Sequence, residues 1–208
     1  MIREVAPRRV LFFGDSLVAG VGDPAGGGWV ARVVGACFAH GQPLSPYNLG
    51  IRRETSIQVA ARWRAEAMPR VPPGVDARMV VSFGTNDTTV EDGAVRVPAD
   101  SSRHALATIL DEASTLDLAA LVVGPAPVDD PEQNRRIGAL TESFAEVCQE
   151  RDTPFIGIVE PLLQSPVWMS EVSAGDGAHP GSGGYQTIAQ LLIDRGLLAW
   201  LTEACSPG

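Results

Sequence analysis

Five short apolar runs, Val10 to Phe13, Tyr47 to Ile51, Met79 to Phe83, Leu118 to Val123 and Phe155 to Val159, alternate with stretches of helical period. Several of these runs are apolar at every position, the pattern of strands covered on both faces. Between them, Trp29, Val33, Cys37 and Phe38 fall on one helical face, as do Leu106, Ile109, Leu110 and Ala113, and again Ile137, Leu140, Phe144 and Cys148. Asp130, Pro131 and Gln133 supply an N-cap, a first-turn proline and a capping box for the last of these helices, and Asp100 caps the one before it. A final helix is expected from about Ser182 to Leu201. Such β-α repetition builds a parallel sheet with helices on both sides, and these sheets take ligands at the carboxyl ends of their strands. With no linker or repeat in 208 residues, one domain over 1–208 is expected.

Polar motifs sit where those strands end. Gly14-Asp15-Ser16-Leu17 follows the first run, and Phe83-Gly84-Thr85-Asn86-Asp87 overlaps the end of the third. Far downstream comes Asp176-Gly177-Ala178-His179-Pro180. A serine hydroxyl is a weak nucleophile that needs a base within hydrogen-bond reach, itself oriented by a third group. His179 suits proton transfer near neutrality, and Asp176 can fold back onto its other ring nitrogen. Gly177 frees that loop and Pro180 stops a helix from crossing it. The Asn86 amide and the Ser16 N–H can then face an oxyanion. On its own Gly84 to Asp87 reads as a turn; the company of Ser16 and His179 makes it more than that. His40, at a helix end, and His104, in a first helical turn, read as structural, and Asp15 and Asp87 as holding loop backbone. Trp168 and Met169 read as pocket lining or as packing, and Thr88 to Ala99 as a wall or lid over the substrate.

Composition removes several alternatives. All 16 basic residues are arginine, which excludes Schiff-base lysines, Ser-Lys dyads and the P-loop. The net charge of -9, without a basic cluster, argues against nucleic acid and anionic membranes as partners. No apolar run approaches the ~18 residues of a membrane span, and no signal peptide precedes the first strand, so a cytoplasmic protein is expected. Cys37, Cys148 and Cys205 are too scattered for a metal site or a disulfide framework and read as inert thiols. Gly20 to Ala25 matches a dinucleotide fingerprint in letters only: it starts late after its strand, contains Pro24 and lacks the acidic residue downstream. A dinuclear metal site would need more histidines, and a GxSxG elbow is absent. No metal or cofactor is expected.

The Gly14 to Leu17, Gly84 to Asp87 and Asp176 to His179 blocks, in this order, resemble the SGNH (GDSL) hydrolase family over nearly the whole chain. The resemblance implies a three-layer α/β/α sandwich with a flavodoxin-like, five-stranded parallel sheet. It also implies serine esterase or acylhydrolase activity through an acyl-serine, on a small-molecule ester. Ser16, Asp176 and His179 would be catalytic, and Ser16, Asn86 and a residue of a fourth block would form the oxyanion hole. That fourth block departs from the family: Arg53 stands where the glycine of Asn-x4-Gly belongs, counting from Asn48. Either Arg53 donates its backbone N–H, with Gly50 supplying the lost freedom, or its guanidinium reaches into the pocket. An acyltransferase working through the same acyl-enzyme is the main alternative, and a non-catalytic binding module a lesser one. Short acyl esters, acetylated sugars, thioesters and lysophospholipids all fit these motifs.

Overall fold

The computed structural model describes residues 7–203. Its parallel sheet contains β1 (Arg8–Gly14), β2 (Leu44–Gly50), β3 (Ala77–Ser82), β6 (Ala119–Val123) and β7 (Phe155–Ile156), in the order β2-β1-β3-β6-β7. A separate antiparallel hairpin, β4 (Val90–Glu91) and β5 (Ala94–Val95), interrupts the chain after β3. The sheet order changes direction between β1 and β3, which opens a crevice at their carboxyl ends.

The apolar runs behave as doubly covered strands. Along β1, Val10 and Phe12 enter the core beneath α2 (Gly28–Ala39) and α8 (Ser182–Asp194), whereas Leu11 and Phe13 enter the core beneath α3 (Ser56–Ala67), α4 (Ala99–Thr115) and α5 (Pro131–Gln149). Phe12 meets Trp29 edge-on at 5.8 Å and Phe13 meets Trp63 edge-on at 6.4 Å, so successive residues anchor opposite layers. Each such buried ring contributes about 1.5–3 kcal/mol from burial alone. The edge strand β2 reads differently because it carries Pro46, whose missing N–H an edge tolerates.

The structure departs from the sequence reading at several element ends. Strand β7 stops at Ile156, and Val159 instead opens α6 (Val159–Leu163). The last helix breaks at Gly196, whose φ of 94° separates α8 from α9 (Leu197–Thr202). Phe38 leaves its expected face and is 52% exposed. Helix α4 begins at Ala99 after Pro98, which places Asp100 inside the first turn and His104 beyond it. Asp130 does cap α5, accepting from the N–H of Glu132 and Gln133. Gln133 closes no box, because its amide reaches across to Thr85 O, Thr88 Oγ1 and Thr89 Oγ1. The capping box belongs to Thr55 and Gln58 at the start of α3. Cys37 and Cys148 are buried free thiols, and burial raises both pKa values, that of Cys148 to about 12. Cys205 lies outside the described residues. No helix among the described residues is long and apolar enough to cross a membrane.

Candidate active site

Strand β1 ends on a glycine because nothing larger fits. A Cβ on Gly14 would lie 2.0 Å from Ser82 O of the neighbouring β3. Directly after it Asp15 caps the short helix α1 (Ser16–Ala19), accepting from Leu17 N–H at 2.9 Å, and Ser16 opens that turn at the mouth of the crevice. Ser16 is 5% exposed.

Asp176 and His179 lie between α7 (Pro166–Ala174) and α8, and their spacing builds a closed turn. Asp176 Oδ1 accepts from the N–H of Ala178 and of His179, at 3.1 and 3.0 Å. Its two oxygens also lie 3.0 and 2.8 Å from His179 Nδ1. Both are acceptors, so Nδ1 carries the ring proton and Nε2 is left as an acceptor. Ser16 Oγ lies 2.7 Å from Nε2. Burial pulls the Asp176 carboxyl upward, but the hydrogen bonds from His179 and Ala178 outweigh it and the net shift is downward.

Asn86 follows β3 and sits beside α1. Its amide donates to Glu54 O at 2.9 Å and to Asp15 Oδ2 at 3.2 Å. Asp15 is pushed up to about 7, first by burial and then by the charge of Asp87, against the N–H of Leu17. Asp87 is fully buried and is also shifted upward, chiefly by desolvation, while the hydroxyls of Ser56 and Ser102 and the N–H of Ser56 bond its carboxylate. Both acids thus tie loops together, as their places beside the motifs imply.

Arg53 takes a backbone conformation that favours glycine. Its φ is 68°, the left-handed conformation that glycine would take there, whereas Gly50 has no positive φ. Its guanidinium turns to Glu91 at 2.7 Å and stays 69% exposed. Arg96 of the loop after β5 donates to Arg53 O at 2.9 Å.

These groups border one cleft of about 410 Å³, whose wall includes Ser16, Arg52, Arg53, Asn86, Gln133 and His179. The Thr88 to Ala99 loop does supply part of that wall, through Thr89, Glu91 and Arg96. Val128 and Ala178 are the apolar side chains in it. Trp168 is not among the lining residues: it is fully buried, its Nε1–H donating to Pro127 O, and Met169 packs against the same core. His40 bonds Ala36 O at the end of α2, and His104 is exposed on α4. Sequence reasoning missed Arg52, Gln133 and the Val128 to Asp130 segment. The last was within reach, since it follows the carboxyl end of β6 as Asn86 follows β3. A second cavity of about 510 Å³ opens at the amino ends of β3 and β6, around Met68, Val71 and Leu118, with neither serine nor histidine in its lining. Among the described residues no group of His, Cys, Asp and Glu is arranged to hold a metal ion.

The GDSL-like Lipase/Acylhydrolase family matches residues 12–187, most of the chain. A lipase/acylhydrolase from Enterococcus faecalis shares 24% sequence identity, with 91% of this chain and 95% of that one covered and a TM-score of 0.74. An acetylxylan esterase from Geobacillus stearothermophilus shares 21%, covering 89% of this chain and 92% of that one, with a TM-score of 0.72. At these identities the likeness establishes the fold, the three-layer sandwich of SGNH hydrolases. No curated protein sequence matches. The chain belongs to the GDSL-like lipase/acylhydrolase family.

Proposed function

We propose that this member of the GDSL-like lipase/acylhydrolase family is a serine esterase that works through an acyl-serine intermediate. The observation that carries the reading is the unbroken relay from Ser16 Oγ to His179 Nε2 at 2.7 Å and from Nδ1 to Asp176 at 2.8 Å. Ser16 Oγ attacks the ester carbonyl as His179 Nε2 takes its proton, and Asp176 stabilises the imidazolium. The carbonyl oxygen gains the negative charge and is met by the N–H groups of Ser16 and Arg53 and by the Asn86 amide. Asn86 turns toward it the N–H lent to Asp15, the longer of its two bonds. Collapse of the adduct expels the alcohol, which leaves with the proton from His179. Water then attacks the acyl-serine with His179 as base, releasing the acid and restoring Ser16.

The left-handed φ of Arg53 and the pairing of its guanidinium with Glu91 favour a backbone role for this residue. Removing one such donor costs about 10²–10³-fold in kcat, whereas changing a side chain already engaged by Glu91 costs little. A cleft lined largely by polar side chains favours a short acyl group on a hydroxylated alcohol and offers a long acyl tail only Val128 and Ala178 as apolar side chains. An acetylxylan esterase of the same fold points the same way. The test is hydrolysis of p-nitrophenyl esters from acetate to decanoate by wild type and Ser16→Ala. Turnover of acetate that falls at least about 10³-fold in the variant is expected. Equal rates in the two proteins would sink the serine mechanism, and an optimum at decanoate would sink the short-acyl reading.

A further inference from the structure

His179 stands on a short segment tied ahead of it by two backbone bonds, Gly177 N–H to Val172 O at 3.1 Å and Asp129 N–H to Gly177 O at 2.8 Å. Gly175 and Asp176 are exposed, and Gly177 is left-handed at 82°. Asp176 does little to locate this segment, because apart from a water-exposed pair with Arg52 at 3.7 Å its bonds stay within the same loop. It sets the ring against the loop, but something else must set the loop against Ser16.

Further contacts that do so lie behind His179, on residues 182 to 184. Ser182 Oγ donates to Asp23 Oδ1 at 2.7 Å, and the N–H groups of Gly183 and Gly184 donate to Glu171 Oε1 and Oε2 at 3.2 and 2.6 Å. Asp23 comes from the loop after α1, is 7% exposed, and is itself held by Arg32 at 2.5 Å and by the N–H of Gly28 at 2.9 Å. Glu171 comes from α7. Carboxylates suit this place, since the first turn of α8 presents unpaired N–H groups and a positive dipole end. The fit requires bare backbone: a Cβ on Gly183 would lie 2.6 Å from Glu171 Oε1, and one on Gly184 2.4 Å from Pro180 Cβ. The Asp23 loop also touches the histidine, because a Cβ on Gly22 would come within 3.0 Å of His179 Cβ.

We propose that Asp23 and Glu171 are positioning residues for His179, fixing the first turn of α8 so that the imidazole stands between Ser16 and Asp176. The inference rests on the roles assigned above to those three residues. Glu171 acts through backbone N–H groups that follow His179 and Asp23 through the Ser182 hydroxyl, and neither lines the cleft. Misplacing a catalytic group by about 1 Å costs on the order of 10²-fold, so loosening the grip lowers kcat and leaves KM nearly unchanged.

The experiment compares Glu171→Ala, Glu171→Gln and Asp23→Asn on p-nitrophenyl acetate, each in the wild-type and in the His179→Ala background, with Tm recorded and Ser16→Ala as control. Glu171→Ala is expected to lower kcat by about 10–100-fold with KM within about twofold. Glu171→Gln, which keeps one acceptor, recovers most of the loss. In the His179→Ala background Glu171→Ala has no further effect, because the group it positions is gone. Full kcat in Glu171→Ala, or the same loss repeated without His179, overturns the proposal. If Glu171→Ala does not fold, Glu171→Gln and Asp23→Asn carry the same comparison of backgrounds. Should Ser16→Ala hydrolyse as fast as wild type, the serine reading itself fails; should it be inactive while Glu171→Ala runs at full speed, this inference alone fails.

Discussion

The loop that carries His179 and the loop that carries Arg53 meet at the same cleft, where Arg52 comes within 3.7 Å of Asp176, yet they are held in opposite ways. Behind His179 the grip passes through two carboxylates, Glu171 set against backbone N–H groups and the almost wholly buried Asp23 against the Ser182 hydroxyl. Around Arg53 it passes through the water-exposed pair with Glu91 and a single bond from Arg96. Surface pairs of this kind contribute about 0–1 kcal/mol, comparable to the ~1 kcal/mol cost of a left-handed non-glycine residue. A side chain that must move a proton needs its whole segment located. A backbone N–H needs only the right φ, and exposed contacts suffice for that. This is how an arginine can stand where the family places glycine.

The comparison breaks most visibly through side-chain removal. His179→Ala should lower kcat/KM by about 10³–10⁴-fold, whereas Arg53→Ala, which keeps its N–H, should stay within about tenfold of wild type. Equal losses in steady-state assays would mean that the Arg53 side chain takes part. Next in size is pH. Because the Asp176 carboxyl is held below its ordinary range, it stays ionised well into acid and leaves a single group, the proposed base, to govern the acid limb. The rate should therefore fall about tenfold per pH unit on the acid side, as for one proton. A slope of two would place Asp176 in the same window. Asp15, raised to about 7, titrates nearby, and Asp15→Asn removes its contribution while the acid limb persists. Arg53→Gly should change kcat by less than about threefold and leave Tm equal or higher, since glycine adopts a φ of 68° without strain. Smallest of all, Glu91→Gln should shift stability by less than about 1 kcal/mol in denaturant titrations, and 0.5 M salt should erase even that.

Much of this was legible in the order of the residues. Continuous apolar runs in β1 and β3 announced a sheet covered on both faces, and strand-end logic brought Ser16 and Asn86 to one rim. The three-residue spacing of Asp176 and His179 announced a turn that aims a carboxylate at a ring. What stayed hidden depends on distance in space. Gln133 has the letters of a capping box but spends its amide on the loop after β3. Glu171 looks like any surface acid of α7 until α8 folds back against it. Gly50 and Arg53 differ in φ for reasons of local packing: a Cβ on Gly50 would lie 2.4 Å from Ala19 N, so that glycine is there for space and not for conformation.

The hairpin of β4 and β5 closes on its own stem, with Arg96 N–H bonded to Thr89 O and Val97 N–H to Asp87 O. Its first strand contributes Glu91 to the cleft and its downstream arm Arg96, the two residues that brace Arg53. Evolution can therefore lengthen, shorten or exchange this insert without rewriting the sheet, but not without consulting position 53. Among relatives, those whose insert lacks an equivalent of Glu91 and Arg96 should carry glycine there. Those that keep the brace are free to carry a side chain, and with it a place to vary the rim of the cleft.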